Sequence, residues 1–166
     1  MDIILRDMKR EDWEAVASIY QEGMDTKRAT FQTKAPSYEE WDRAHLSYCR
    51  FVAEFEGEVV GWTGISPYSS RPVYSGVAEE SIYIKTGYRG KHIGEKLLSK
   101  LIEESEKQGI WTLQAGIMEI NEASIALHKK MGFRIVGHRE RIGKDSNGVW
   151  QNTVLMERRS KTVGII

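Results

Sequence analysis

Tyr88-Arg89-Gly90-Lys91-His92-Ile93-Gly94 sets two glycines, two cations and a histidine just ahead of a strongly amphipathic segment. A helix start carries unpaired N–H groups and a partial positive charge, so a turn of this kind suits an anionic group such as a pyrophosphate. Glycine lets a ligand approach the backbone, and Arg89 and Lys91 add charge beside it. The same residues also make a plain strand-to-helix turn with solvated cations, and the segment alone does not separate the two readings. It is not a P-loop, because His92 follows Lys91 where Ser or Thr is required. It is not a dinucleotide fingerprint either, since no G-x-G-x-x-G stands in the turn. What remains is R-x-x-H-x-G. Three further candidates lie nearby in the chain. Glu79 and Glu80 open a strand, where a carboxylate could act as a base or simply face water. Asn121 precedes a helix, and asparagine is among the best N-caps. His128, seven residues on, could exchange a proton, although a lone histidine on a helix is more often a surface or capping residue. The histidines at 45, 92, 128 and 138 show no paired ligand spacing, so no metal is expected.

The elements that must position these residues follow from hydrophobic period. Ile3 to Arg6 reads as a strand. Asp12 can cap a helix bearing Trp13, Val16, Ala17 and Tyr20 on one face. Gly23 to Ser37 has no period and reads as loop, and a helix is expected over Tyr38 to Tyr48. Phe51–Phe55 and Val59–Ile65 flank a Glu-Gly-Glu turn as a hairpin. Loop is expected from Ser66 to Val77, then a strand over Glu80–Ile84. Ile93, Leu97, Leu98, Leu101 and Ile102 mark the strongest helix, closed by Gly109. A strand over Trp111–Ile117, a helix from Asn121 to Gly132, and strands at Phe133–Gly137 and Val149–Met156 complete the chain. Helices between strands imply a mixed sheet with helices packed on it. The five tryptophans, Trp13, Trp41, Trp62, Trp111 and Trp150, read as core or interface anchors.

Composition bounds the function. The 166 residues fit one domain, and 24 basic against 24 acidic residues give no basic excess for nucleic acid. No apolar run approaches the ~20 residues needed to span a bilayer, and no signal peptide is apparent. Cys49 is the only cysteine, which makes a reducing cytoplasm the expected setting.

Arg89, Gly94, Asn121, Ser124 and Gly132-Phe133 together resemble the GNAT superfamily of N-acetyltransferases, whose pyrophosphate loop reads Q/R-x-x-G-x-G/A. His92 replaces the middle glycine. A negative φ there would leave the match intact, and a required positive φ would count against it. Within the superfamily, Glu80-Ser81-Ile82-Tyr83-Ile84, Arg71-Pro72-Val73-Tyr74, Ser124 to His128 and Gly143…Gly148-Val149-Trp150 resemble the phosphinothricin and methionine sulfoximine acetyltransferases. Asn152 departs from the aspartate common in those enzymes.

The resemblance implies the acyl-CoA N-acyltransferase fold, a central, mostly antiparallel twisted sheet flanked by helices, with acetyl-CoA as co-substrate. It implies that Ile82, Tyr83 and Ile84 pair with the pantetheine arm like an added strand, and that Arg89, Gly90, Lys91, His92, Ile93, Gly94 and Glu95 cradle the pyrophosphate. Asn121 and Ser124 complete that site. His128 stands where a tyrosine often serves as acid toward the departing thiolate. Glu80 is the candidate base, because strand alternation puts it on the face of Ile82 and Ile84. Arg71, whose guanidinium can make two parallel bonds to a carboxylate, is the expected substrate anchor, with Glu79, Glu80 and Ser81 nearby. A small amino-acid analogue is the implied acceptor and a homodimer the implied assembly, with Val163–Ile166 as an apolar tail for a partner. Another amine, or a CoA-binding sensor without catalysis, stays open as an alternative.

Overall fold

The computed structural model describes residues 1–166. Its elements run β1 (Ile4–Asp7), α1 (Trp13–Asp25), α2 (Tyr38–Ala44), β2 (Phe51–Phe55), β3 (Glu58–Pro67), β4 (Val77–Ile84), α3 (Ile93–Lys107), β5 (Thr112–Met118), α4 (Glu122–Lys130), β6 (Arg134–Lys144) and β7 (Trp150–Arg159). The strands form one seven-stranded sheet in the order β1-β2-β3-β4-β5-β7-β6. Only β4 and β5 run parallel; every other neighbouring pair is antiparallel. This is the mixed, mostly antiparallel architecture expected.

Helices cover both faces of the sheet because β3 alternates. Gly61 faces Leu97 of α3, whereas Gly64 faces Trp41 of α2. The apolar stripe of α3, Ile93, Leu97, Leu98, Leu101 and Ile102, is buried with Ile65, Ala78 and Ala115 in one cluster. Each such side chain contributes roughly 1.5–3 kcal/mol on burial. Val16, Ile19, Tyr20 and Met24 of α1 form a second cluster with Trp41 and Trp62.

Several boundaries differ from expectation, each for a local reason. The first helix runs through Gly23 to Asp25, because that glycine is a packing seat rather than a break. A Cβ there would lie 2.6 Å from the Tyr83 ring. The second helix stops at Ala44, not Tyr48. The Arg50 guanidinium takes the carbonyls of Leu46 at 2.7 Å, Asp42 at 3.1 Å and His45 at 3.2 Å, and so satisfies the end of the helix from outside. The last two strands are longer than their apolar cores, since the charged run from Arg139 to Lys144 continues β6 with exposed side chains.

Of the tryptophans, Trp41 and Trp62 are 1% and 0% exposed, but Trp150 is 47% exposed and not part of the core. Arg141 and Lys144 sit 5.8 and 5.2 Å from its ring, which lets an exposed indole keep cationic company at the surface. The C-terminal tail is held by its own chain, with Arg159 donating to the carbonyls of Val163 at 2.8 Å and Gly164 at 2.6 Å. No helix is long and apolar enough to cross a membrane.

Candidate active site

The sheet opens at its middle. β4 pairs with β5 only from Val77 to Glu79, opposite Thr112 to Gln114, yet continues to Ile84 on its β3 side. The last residues of β4 therefore keep one backbone edge without a strand partner. A cleft of about 660 Å³ lies along it, lined by Ile82, Tyr83 and Ile84 on one side and by Asn121, Ser124 and Leu127 across the gap. An extended amide-bearing chain can pair with such an edge as a further strand would.

At one end of the cleft stands the start of α3, where Arg89, Gly90, His92, Ile93, Gly94 and Glu95 line the wall. Gly90 has φ +75° and His92 has φ +64°, both left-handed, ahead of the right-handed turns of the helix. Alternation of this kind makes successive N–H groups converge into an anion-binding nest. The φ at His92 is thus positive, the outcome that counts against the loop match at this position. A histidine tolerates it at a cost of about 1–2 kcal/mol, and a glycine would not incur that cost. Glu95 would repel an anion from this helix start, but its carboxylate is engaged by Lys130 at 2.7 Å and His92 at 3.1 Å. Those two partners hold it below the usual carboxylate range. Lys91 is exposed and does not line the cleft. Edge, nest and width together suit a nucleotide thioester with a peptide-like arm.

A second cavity of about 360 Å³ shares Ala29, Ile82, Tyr83, Asn121 and Ser124 with the cleft, so the two are continuous. Its wall holds Glu80 and His128, 5% and 2% exposed, brought together from β4 and α4. His128 Nε2 meets Glu80 Oε1, while Nδ1 meets the Ser124 carbonyl at 2.7 Å and the Ser124 hydroxyl at 3.4 Å. A carbonyl only accepts, so Nδ1 carries a proton, and Nε2 of the same ring donates a further one to Oε1. The pair is therefore neutral overall, which limits the cost of burying it. Burial pulls the His128 pKa down, but the bond to Glu80, its charge and the Ser124 carbonyl outweigh that and raise it. Glu80 Oε2 is buried with no protein partner, an acceptor left for a donor that enters the cavity.

Both nitrogens of His128 are engaged within the protein, so the ring supports Glu80 and does not reach into the donor cleft. Ser81 and Glu79 also line the second cavity, with Glu79 exposed and 3.4 Å from Gln114. Arg71 lies outside both cavities. It is exposed on the loop between Ser66 and Glu79, which both line the second cavity, and it stands 5.4 Å from the Tyr74 ring. No lysine or arginine lines that cavity.

The segment between α1 and α2, read from sequence as plain loop, contributes Ala29, Thr30 and Gln32 to the second cavity, and Thr26, Arg28 and Ala29 to the cleft. Arg28 donates to the Ile120 carbonyl at 2.7 Å, and Phe31 packs on Gly143, so the loop spans the opening. Nothing periodic marks those residues. Tyr20, which joins them in the second cavity, was read only as a core residue of α1.

The acetyltransferase (GNAT) family matches residues 13–133. An L-methionine sulfoximine/L-methionine sulfone acetyltransferase of Pseudomonas aeruginosa is 29% identical over 163 residues, 95% of this chain and 94% of that one. A phosphinothricin acetyltransferase of Sinorhizobium meliloti, solved in complex with AcCoA, superposes with a TM-score of 0.86 at 29% identity, covering 99% of this chain and 97% of that one. A ribosomal-protein-alanine N-acetyltransferase of Brucella melitensis superposes with a TM-score of 0.87 at 30% identity, covering 95% and 99%.

Proposed function

Given that the chain belongs to the GNAT acetyltransferase family and is an acetyl-CoA-dependent N-acetyltransferase, we propose that its acceptor is the amino group of a small amino-acid analogue of the phosphinothricin, methionine sulfoximine or methionine sulfone kind. The observation that carries this reading is the unpartnered Glu80 Oε2, in a cavity continuous with the donor cleft. The names of the Pseudomonas and Sinorhizobium proteins support the acceptor class.

Bound acetyl-CoA supplies an acetyl group activated as a thioester. The chain's own part is to hold and to move protons. The amides of Gly90 to Gly94 hold the pyrophosphate, the open edge of β4 holds the pantetheine arm, and Asn121 and Ser124 close the other side. Glu80 accepts a proton from the acceptor amine at Oε2, directly or through one water, while His128 keeps the carboxylate oriented. An α-amino group with pKa near ~8 is about one tenth neutral at pH 7, so ionisation withholds only ~1.4 kcal/mol. Orientation can supply up to ~7–11 kcal/mol and is the larger effect.

The proposed anchor for the acceptor's carboxylate is Arg71, on resemblance to the phosphinothricin and methionine sulfoximine acetyltransferases; it stands outside the cavity, on the loop that joins β3 to β4. Arg71→Ala is expected to raise KM for an amino-acid analogue about tenfold with little change in kcat; an unmoved KM would assign the carboxylate elsewhere. A second reading, transfer to another amine such as a protein N-terminus, draws on the likeness to the Brucella protein and on the lack of a cation in the acceptor cavity. Thiol release measured over amino-acid analogues, their amides, polyamines and short peptides separates the readings: selectivity for the analogues supports the first, selectivity for the peptides the second. A homodimer is the proposed assembly, with exposed Ile135, Val136, Ile142 and Trp150 as its apolar surface.

A further inference from the structure

The five residues shared by the two cavities mark the place where the acyl group must pass from donor to acceptor: Ala29, Ile82, Tyr83, Asn121 and Ser124. A thiolate leaving there needs a proton. Two of the five carry a hydroxyl. The Tyr83 ring packs in the aromatic cluster with Tyr20 and Trp62, and its hydroxyl makes no hydrogen bond to His128 or Glu80, so neither member of that pair can return a proton to it. Asn121 has no proton to give, and its Oδ1 already accepts from the Ser124 amide at 3.3 Å. The ring of His128 stops one residue short, with Nδ1 facing Ser124.

We propose that the Ser124 hydroxyl is the group that protonates the departing sulfur, fed by His128. The proposal rests on the acetyltransferase reading above. As the N–C bond forms and the C–S bond breaks, Ser124 Oγ gives its proton to sulfur and takes the Nδ1 proton of His128. The Nδ1 hydrogen bond shifts from the Ser124 carbonyl to the hydroxyl as the 3.4 Å gap closes, so that Nδ1 ends as the acceptor of the Oγ–H. The proton that His128 Nε2 donates to Glu80 Oε1 stays on Nε2, and the amine's proton goes to Glu80 Oε2. The relay begins with two protons on the pair and ends with two, so the net result is one proton carried from nitrogen to sulfur. Both electron pairs are accounted for: the amine's becomes the N–C bond, and the C–S pair stays on sulfur. Glu80 and Ser124 thereby act at opposite ends of one buried chain, and His128 is the positioning residue between them.

Ser124→Ala isolates the hydroxyl, because the two backbone contacts of Ser124, its amide to Asn121 and its carbonyl to His128, remain. The direct readout is the ionisation of the CoA thiol when free CoA is bound, followed by thiolate absorbance against pH. A hydroxyl donating to sulfur stabilises the thiolate, so the bound thiol should ionise about one pH unit lower in the wild type than in Ser124→Ala, with Ser124→Thr restoring the wild-type value. In turnover, Ser124→Ala should lose about a hundredfold in kcat with KM for acetyl-CoA within about twofold. An unmoved thiol titration, or a loss confined to KM, would overturn the proposal and leave Ser124 a binding residue. A wild-type chain that binds no CoA would sink the acetyltransferase reading and this proposal together, whereas binding with an unmoved thiol would sink the proposal alone.

Discussion

The donor cleft and the acceptor cavity share five residues but are made of different material. The cleft is chiefly backbone: an unpaired edge of β4 and a turn in which Gly90 and His92 are both left-handed. The cavity is chiefly side chain, and its chemistry converges on single atoms, Glu80 Oε2 and the two nitrogens of His128. A backbone site survives changes of side chain so long as φ is kept, which is how a histidine can stand where the family pattern has glycine. A side-chain site has no such tolerance.

The contrast can be broken most sharply at Glu80. Glu80→Gln removes the base and should cost about 10²–10⁴ in kcat while leaving acetyl-CoA affinity unchanged, read by steady-state kinetics beside a binding isotherm. Loss of binding instead would mean that the two regions are not separable. Gly94→Val is the converse. Its Cβ would stand 3.1 Å from Leu127 and crowd the cradle, so acetyl-CoA should bind about tenfold more weakly with kcat at saturation little changed.

How much of this contrast the sequence reveals follows from the same difference in material. The turn before α3 announces itself through glycines, cations and a helix start, all adjacent in the chain, and of the ten residues named there and on the strand nine line the cleft, Lys91 excepted. The strand alternation of Glu80 is equally local. The Glu80–His128 contact is not, because it joins residues 48 positions apart across β4 and α4. Nothing in residue type told whether His128 would face the thiolate or the carboxylate. The loop carrying Arg28, Thr30 and Gln32 was illegible for a related reason: its place over the cavities depends on Phe31 meeting Gly143, a contact without periodicity. Trp150 is not a core residue because β7 pairs with β5 only from Thr153 onward, so at Trp150 β6 is its one strand neighbour and the ring stays in solvent.

Two smaller effects sharpen the comparison. The folded pKa of His128 is raised above its ordinary ~6.5, so the stability tied to its protonation is complete below that pH and is lost as pH rises through the folded value. The wild-type thermal midpoint should therefore decline above pH ~6.5, and His128→Asn should lack that slope; parallel curves would contradict a proton held on His128 by Glu80. In the cleft, His92→Gly removes left-handed strain but adds chain entropy in the unfolded state. The net gain should be about 0.5 kcal/mol, roughly 1–2 °C in Tm, with donor affinity retained.

The central claim is that main-chain amides at the start of α3 hold the donor independently of the acceptor machinery. Titration calorimetry of acetyl-CoA into the wild type, Glu80→Gln and Gly94→Val tests it most directly. The account predicts one site per chain, equal affinity for the first two and weaker binding for the third. No heat with a folded wild type, or weakening in Glu80→Gln but not in Gly94→Val, would contradict it.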